Sequence, residues 1–366
     1  MYGCVEIQDP TVDVDKGPYL LYNGDNTQMQ VLWQARGLDG DTVMWGTDPA
    51  CSLGKMLCPR CDSSHLHKFT IKDLVPGTKY YYQVIIDGNA YTGTFRTAPM
   101  EDQSVVKFFV MGDMRTDVVA HNRVATQINA SWAVDPESQT VMLSVGDLVT
   151  DGDYETYWAE EFFSPIAPSI KELHANLPFM SARGNHESSG KLFARYLPYH
   201  FTGNYYYSFD YGPVHFTMID QYAPYTPGTE QYTWIVADLA GSDKKWKMVC
   251  LHEPGWSAGG GHANNLSVQQ YLEPLFEQYH VAVVFAGHNH YYARAFVQGT
   301  GGASVVHITT GGGGAPLHSP NPDSTNVVAV SKNYQFCKVS ILDEHQLQCW
   351  AISDKGDTLD EFQVQQ

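Results

Sequence analysis

Residues 105–114 read VVKFFVMGDM, a largely apolar run that ends in Gly-Asp. A short run rich in β-branched and aromatic residues is typical of a buried strand. Further runs of this kind follow along the chain, with helical stretches between them. They read TVMLSV, PFMSA, VHFTMI, KMVCL, VAVVFA and SVVHITT. This alternation predicts an α/β layer domain whose strands are largely buried.

Metal-binding side chains follow five of these runs at the point where each run ends. In chain order they are Gly112-Asp113, Gly146-Asp147, Gly184-Asn185-His186-Glu187, His252 and Gly287-His288-Asn289-His290. Because active sites of layered α/β folds gather beyond the carboxyl ends of strands, we expect these side chains to converge. Glycine lets the chain turn sharply at such an end and keeps the backbone clear of an ion.

The expected ligand set contains two carboxylates, one amide oxygen and three imidazoles. Its members are Asp113, Asp147, Asn185, His252, His288 and His290. This mixture suits zinc, iron or manganese, whereas calcium takes oxygen ligands only. If the segment that carries His288 and His290 is extended, both rings project from one face. Together the motifs predict a centre that binds two metal ions.

The formal net charge of the chain is −18. Such a surface repels nucleic-acid backbones, so the sequence argues against nucleic acid as a partner. Two divalent cations, less two carboxylates and a bridging hydroxide, leave about one positive charge at the centre. That local charge would attract a phosphate, so a small phosphate ester is the expected partner.

Residues 18–98 have a different pattern, which is typical of an all-β unit. Short alternating or aromatic-rich runs are separated by Gly, Pro, Asn and Asp. These runs read TQMQVLWQA, DTVMWG, LHKFTI, KYYYQVII and YTGTFRT. They predict a small β-sandwich, and the change of pattern at residues 99–102 predicts a boundary between a domain at 1–100 and one at 101–366.

The ordered motifs GD, GD, GNHE, a strand-end His and GHNH resemble those of the calcineurin-like metallophosphoesterases. The chain is more closely similar to the purple acid phosphatases, in GTEQYTWIVADL at residues 228–239 and in GHNHYYAR, which resembles the family's GHVHAYER. In addition, LVPGTKYYYQV resembles a fibronectin type III repeat. The resemblance spans residues 18–355. It implies an N-terminal fibronectin type III-like sandwich and a C-terminal four-layer α/β sandwich with two mixed sheets.

The resemblance also implies a role for each site residue. Asp113 and His290 would bind the first ion, Asp147 would bridge both ions, and Asn185, His252 and His288 would bind the second. His186 would contact the phosphate, and His262 would contact it and protonate the leaving group. The implied reaction is hydrolysis of a phosphate monoester by a metal-bound hydroxide.

Three positions depart from the family pattern. Thr150 stands where the purple enzymes have the Tyr that gives their colour, so we expect divalent zinc, manganese or iron and a colourless protein. Arg115 replaces a family Gly. Its guanidinium could either donate two parallel hydrogen bonds to the phosphate or form a salt bridge with a nearby carboxylate. Ala293 replaces a Glu, which removes a partner of the site.

Two alternatives to monoester hydrolysis stay open. A phosphodiesterase or nucleotide-hydrolysing enzyme would use the same ions in a pocket of another shape, although the charge of Arg115 favours a dianionic monoester. A non-catalytic protein that binds through its β-sandwich is the alternative from another class. The complete set of six ligands argues against that second alternative.

Seven cysteines are present. Cys51, Cys58 and Cys61 form a cluster, for which we favour a disulfide plus one spare thiol over a structural zinc site. Cys337 and Cys349 lie in neighbouring strand-like runs, and a hairpin that places them opposite each other would allow a disulfide. Cys250 lies in an apolar run and is expected to be an inert core residue.

The chain contains no run of eighteen apolar residues, so no transmembrane helix is expected. Its first residues lack the apolar core of a signal peptide. We favour an extracytoplasmic or secreted protein whose signal has been removed, with a cytoplasmic protein as the alternative. Cys4 could carry a lipid or be incidental. The sequence does not set the oligomeric state.

Smaller features complete the predictions. Ser267 followed three residues later by Gln predicts a capping box at the start of a helix over residues 267–279. Trp158 and its neighbours Phe162 and Phe163 are expected in the core. His307 and His318 flank the glycines of residues 311–314, a loop that could wall the cleft, although we favour a plain turn.

Overall fold

The computed structural model describes residues 14–35, 41–58, 64–86, 88–103, 105–299 and 304–366. Within these ranges the chain forms four β-sheets and several short helices. The strands are β1 Val14–Leu21, β2 Met29–Ala35, β3 Thr42–Gly46, β4 Gly54–Leu57, β5 Leu66–Ile71, β6 Lys79–Ile86, β7 Asn89–Arg96, β8 Val106–Met111, β9 Val141–Ser144, β10 Phe179–Ser181, β11 Tyr207–Tyr211, β12 Val214–Met218, β13 Trp246–Cys250, β14 Val281–Ala286, β15 Tyr292–Gln298, β16 Ser304–Thr310, β17 Val327–Ser331, β18 Gln335–Ile341, β19 Gln346–Ser353 and β20 Thr358–Gln365.

The helices lie in the second part of the chain. The α-helices are α1 Val118–Val134, α2 Glu155–Tyr157, α3 Pro168–Asn176, α4 Lys191–Tyr196, α5 Glu230–Gly241 and α6 Glu273–Gln278. Two 3₁₀ turns occupy Pro136–Ser138 and Asn185–Glu187, and two π-helical turns occupy Trp158–Phe162 and Val268–Leu272. None of the described helices combines the length and apolar character that crossing a membrane requires.

The N-terminal region is rich in β-structure, as the sequence predicts. One antiparallel sheet has the order β1-β2-β5 and the other has the order β4-β3-β6-β7. Alternate side chains of both sheets enter one apolar cluster, which includes Trp33 from β2 and Phe95 from β7. The period-2 patterns therefore identify the buried faces correctly.

Two mixed sheets form the C-terminal region, in agreement with the predicted α/β alternation. Their strand orders are β10-β9-β8-β18-β19-β20 and β11-β12-β13-β14-β16-β15-β17. Phe108 of the first sheet packs edge-on against Phe216 and Phe285 of the second, with ring centroids 5.2 Å and 6.4 Å apart. The apolar strands are thus buried because the two sheets face each other across one core.

Strand direction places the site. Strands β8, β9 and β10 run parallel to one another, as do β12, β13, β14 and β16 of the second sheet. Parallel strands end at the same edge of a sheet, so the segments after β8, β9 and β10 meet at one edge. The segments after β13 and β14 meet at the matching edge of the second sheet.

Two local predictions are wrong, and the physical reasons differ. The side chain of Ser267 caps no helix, because Asn265 Oδ1 already accepts the backbone N–H groups of Ser267 and Val268. Cys337 and Cys349 are free and buried. The hairpin register pairs Cys337 with Ala351, so the two cysteines are offset by two residues instead of being opposite.

Of the other small predictions, some are confirmed and some fall on residues outside the described ranges. Trp158 and Phe162 are buried, as expected. Cys250 is also buried, and burial raises the pKa of its thiol well above the usual value, which agrees with an inert core residue. Cys51 is a free thiol. Cys61 and Cys4 lie outside the described residues, so the choice between a disulfide and a zinc site near Cys61, and the question of a lipid on Cys4, stay predictions.

Candidate metal centre

The oxygen donors come from the six-stranded sheet. Asp113, Asp147 and Asn185 follow β8, β9 and β10, and both aspartates are buried. Asp113 and Asp147 have φ angles of 56° and 57°, a left-handed conformation that is uncommon for residues other than glycine. The two loops hold each other in this conformation, since the Asp113 N–H donates to the Gly146 carbonyl at 2.9 Å.

Glu187 braces this oxygen side, although sequence analysis assigned it no role. Its buried carboxylate accepts the backbone N–H groups of Asp147 at 3.0 Å, Leu148 at 2.7 Å and Gly184 at 2.6 Å. The donors flank two of the candidate ligands, one after β9 and one after β10. A single side chain therefore fixes two ligand loops relative to each other.

The nitrogen donors come from the seven-stranded sheet. His252 follows β13, and His288 and His290 follow β14. The Nδ1 atom of His252 lies 2.7 Å from the Val145 carbonyl, and Nδ1 of His290 lies 2.8 Å from the Pro316 carbonyl. Since a carbonyl oxygen can only accept, Nδ1 carries the proton in both rings. Each ring therefore directs Nε2 at the site, where its lone pair binds a metal ion once that nitrogen is unprotonated.

The segment from residue 288 to residue 290 is bent, so the condition for both rings to project from one face is not met. His288 has a φ of 64°, and its backbone N–H donates to the Asp113 carboxylate at 3.0 Å. The bend sends the two rings to opposite ends of the centre. His288 lies with Asn185 and His252, whereas His290 Nε2 lies 3.3 Å from Asp113 Oδ1.

Four electron-rich atoms converge at the His288 end. His252 Nε2 lies 3.0 Å from Asn185 Oδ1, 3.2 Å from His288 Nδ1 and 3.4 Å from Asp147 Oδ1. The distance from His288 Nδ1 to Asn185 Oδ1 is 3.1 Å. A tetrahedral zinc site with bonds of about 2.1 Å would place its ligand atoms about 3.4 Å apart. The donor set therefore fits a metal ion of this size.

The pKa values of the residues at this end depend strongly on one another. Burial opposes charge on His252, but the Asp147 carboxylate outweighs it and raises the His252 pKa to about 10. Burial and the neighbouring His252 lower the pKa of His288 to about 3. Asp147, although burial opposes ionisation, has its pKa lowered by His252. The site thus favours an ionised carboxylate and one added positive charge, which either a proton on His252 or a metal ion would supply.

The opposite end contains fewer donors and one arginine. Asp113 and His290 face each other there, and Asp147 Oδ2 points to the same side. Arg115 Nε donates to Asp147 Oδ2 at 3.3 Å, and Nη2 lies 3.5 Å from His290 Nε2. Arg115 thus forms the salt bridge to a carboxylate, and its binding of a phosphate stays a prediction.

Glycines allow the loops to approach the carboxylates. A Cβ atom on Gly184 would collide with Asp147 Oδ1, and one on Gly287 would collide with Asp113 Oδ2. A Cβ atom on Gly311 would lie 2.7 Å from Asp113 Oδ2, so Gly311 lies against the centre, which favours a segment that walls the cleft over a plain turn. The glycines keep neighbouring loops clear of the ligand carboxylates, as well as permitting sharp turns.

Both predicted catalytic histidines lie at the rim. His186 Nδ1 donates to the Thr150 carbonyl at 2.6 Å, and His186 Nε2 lies 3.8 Å from Asp147 Oδ2. The Thr150 hydroxyl donates to Glu161 at 2.7 Å. His262 is exposed and stacks on His288 with centroids 3.9 Å apart. Partial burial and the nearby His290 lower the pKa of His262.

Two further residues were missed from the sequence. Asn289 is buried, accepts the His262 N–H at 2.7 Å, and donates to the His262 carbonyl and to Ser257, which anchors the loop of His262. His318 accepts the His290 N–H through Nδ1 at 3.2 Å and stacks on that ring at 4.0 Å. The position of Asn289 between two ligands was the available signal, whereas His318 had none beyond its nearness to the glycines.

Comparison with known proteins gives a consistent result. The sequence profile of the calcineurin-like phosphoesterases matches residues 106–292. Purple acid phosphatase 21 of Arabidopsis thaliana is 31% identical over 275 residues, which cover 69% of this chain and 59% of that protein. A probable inactive purple acid phosphatase 1 from the same plant is 25% identical over 349 residues, covering 78% of this chain and 55% of that protein. The chain therefore spans less than two thirds of the length of these relatives.

A solved structure shows the same fold. The purple acid phosphatase PPD1 from yellow lupin (Lupinus luteus) seeds matches with a TM-score of 0.81 at 20% identity, over 96% of this chain and 74% of that chain. The match supports a β-rich N-terminal region followed by a region of mixed sheets.

Proposed function

The chain belongs to the calcineurin-like phosphoesterase family, and from this premise we propose that it hydrolyses phosphate monoesters at a centre that holds two metal ions. One observation carries the proposal. The atoms Asp147 Oδ1, Asn185 Oδ1, His252 Nε2 and His288 Nδ1 face one another with lone pairs at separations of 3.0–3.4 Å. Such an arrangement is repulsive unless a positive charge, either a proton on His252 or a metal ion, lies among the atoms.

The assignment of ligands follows the two ends of the centre. Asn185, His252 and His288 would hold one ion, Asp113 and His290 would hold the other, and Asp147 would contact both through its two oxygens. Two ions held there would polarise a phosphate ester and would make water a stronger nucleophile. Divalent zinc, manganese or iron suits these donors. Thr150 cannot supply a tyrosinate, so we expect a purified, metal-loaded protein without a visible absorption band.

The rim histidines would handle the substrate. Because the Nδ1 proton of His186 is used on the Thr150 carbonyl, this ring can donate to a phosphate oxygen only from a protonated Nε2. His262 is exposed and lies over His288, within reach of the outer side of a bound ester. It would give a proton to the departing alcohol oxygen.

The hydrolysis of two nitrophenyl esters tests the proposal. The protein is stripped of metal, reloaded with zinc, manganese or ferrous iron, and assayed on p-nitrophenyl phosphate and bis(p-nitrophenyl) phosphate. We expect faster turnover of the monoester. A preference for the diester would support the phosphodiesterase alternative, and no hydrolysis of either ester despite bound metal would support the non-catalytic alternative.

A matched pair of variants connects the activity to the centre. Asp147→Asn keeps the shape of a ligand but removes its charge, so we expect metal content to fall and the rate to drop more than roughly 100-fold. Asp323→Asn makes the same change in an exposed loop and should leave both unchanged. Full metal content and rate in Asp147→Asn would refute the proposed centre.

We also propose the finer organisation that the sequence suggests. Residues 1–100 would form a fibronectin type III-like domain and residues 101–366 the catalytic domain, with the two sheets as the inner layers of four. Expression of residues 101–366 alone, followed by measurement of metal content, tests the boundary. We further propose that the chain functions outside the cytoplasm, which fractionation of the producing cells would check.

A further inference from the structure

The Arg115 side chain lies inside the candidate centre. Its Nε atom donates to Asp147 Oδ2 at 3.3 Å, its Nη1 atom donates to Thr116 Oγ1 at 3.2 Å, and Nη2 lies 3.5 Å from His290 Nε2. The side chain is 15% exposed. The guanidinium group is therefore held by three partners.

These contacts fall on one end of the centre only. Asp113, Asp147 and His290 are the expected protein ligands of the ion at that end, and two of these three have a donor atom beside the guanidinium. At the other end, Asn185 Oδ1, His252 Nε2 and His288 Nδ1 contact one another. The two ends thus differ in both the number of ligands and the nearby charge.

A guanidinium weakens cation binding in two ways. It stays charged at every relevant pH and has no lone pair to offer to a metal. A positive charge a few ångströms from a divalent ion repels that ion strongly even at the effective dielectric of a protein surface. In addition, the N–H groups of Arg115 compete with an ion for the lone pairs of Asp147 Oδ2 and His290 Nε2.

We propose that the centre is asymmetric, and that Arg115 makes the ion at the Asp113–His290 end weakly bound and exchangeable, while the ion at the Asn185–His252–His288 end is retained. The proposal rests on the proposed function, since it assigns different affinities to the two ions of that centre. Arg115 is then a positioning residue for Asp147 and His290, and it sets the occupancy of the weaker site.

Isothermal titration of the metal-free protein with zinc tests the asymmetry without any activity assay. For the wild-type chain we expect two binding steps, the first at least roughly 100-fold tighter than the second. For Arg115→Gln the second step should tighten at least roughly tenfold, with the first step unchanged. Arg115→Lys retains the charge, so its second step should stay close to that of the wild type.

Arg123→Gln is the matched control. Arg123 pairs with Asp354 at 2.7 Å on a half-exposed helix face, so its loss changes the net charge equally but not the centre. Two equally tight steps in the wild type would overturn the asymmetry, as would an Arg115→Lys variant that tightens as much as Arg115→Gln. Both results leave the proposed function standing. Absence of any zinc binding by the wild type would instead refute the proposed function itself.

Discussion

The two halves of the centre differ in their source and in how they are held. The oxygen donors Asp113, Asp147 and Asn185 all follow strands of the six-stranded sheet, whereas the imidazoles all come from the seven-stranded sheet. Backbone N–H groups fix the oxygen half by donating to Glu187, while backbone carbonyls fix two of the imidazoles by accepting their Nδ1 protons.

This difference shows how the site is prepared for a cation before one binds. A carboxylate needs donors to hold it, and an imidazole needs an acceptor to place its lone pair at the correct nitrogen. The Val145 carbonyl belongs to the oxygen half but orients His252 of the nitrogen half. The packing of the two sheets against each other therefore also sets the protonation pattern of the site.

Among residues that are not themselves expected ligands, the largest effect is expected from Glu187, which holds the oxygen half in place. Glu187→Gln replaces one of two accepting oxygens by an NH₂ group, so at least one of three buried N–H groups loses its acceptor. We expect a loss of about 1–3 kcal/mol in the free energy of unfolding and a roughly 10- to 100-fold loss of zinc affinity. Denaturant titration and calorimetry measure these quantities, with exposed Glu344→Gln as control. Unchanged zinc affinity would show that the oxygen donors do not depend on the hydrogen bonds that Glu187 accepts.

A smaller effect is expected from the anchor in the nitrogen half. Asn289→Ala frees the loop of His262, because the hydrogen bonds of the Asn289 side chain go to His262 and Ser257. We expect kcat on p-nitrophenyl phosphate to fall roughly tenfold with metal content retained. Asn264→Ala, in the same loop, is the control. A loss of metal equal to the loss of kcat would mean that Asn289 supports the ions instead of His262.

His318 tests the Asp113–His290 end of the centre, where the more weakly bound ion would lie. His318→Phe keeps a ring stacked on His290 but removes the acceptor for its backbone N–H. One lost hydrogen bond of this kind should weaken the exchangeable zinc step by roughly threefold to tenfold. His345→Phe at an exposed position is the control. A change in the tighter zinc step alone would contradict the division of the centre into two ends.

The smallest effect on the centre is expected from a histidine remote from it in the seven-stranded sheet. Burial opposes protonation of His215, but Asp210 and Asp238 raise its pKa to about 9. Since this value exceeds that of an unfolded histidine, the stabilisation is complete below about pH 6.5 and is lost as pH rises through 9. Asp210 is 44% exposed, so the change is on the order of 1 kcal/mol. Denaturant titration at pH 6 and pH 9.5 should show this difference in the free energy of unfolding in the wild type and not in His215→Gln.

The sequence was sufficient for features that depend on local pattern. Apolar runs predicted the strands, and their ends predicted which side chains would meet, because parallel strands finish at one edge. The resemblance to the calcineurin-like phosphoesterases, carried by GNHE and GHNH, is confirmed by the profile match over residues 106–292.

Features that depend on register or on distant segments were not predictable. The offset of Cys337 from Cys349 follows from the hairpin register, which the residue types alone do not fix. The bend at His288 is held by Asp113, 175 residues away. Glu187 and His318 act through backbone groups of other loops, so their roles became visible only with the fold.

Anomalous X-ray diffraction from zinc-loaded crystals tests the central claim most directly. We expect a strong peak about 2.0–2.1 Å from His252 Nε2 and His288 Nδ1, and a weaker peak between Asp113 and His290. Crystals with bound zinc but no peak among Asp147, Asn185, His252 and His288 would contradict the claim that these side chains form a metal centre.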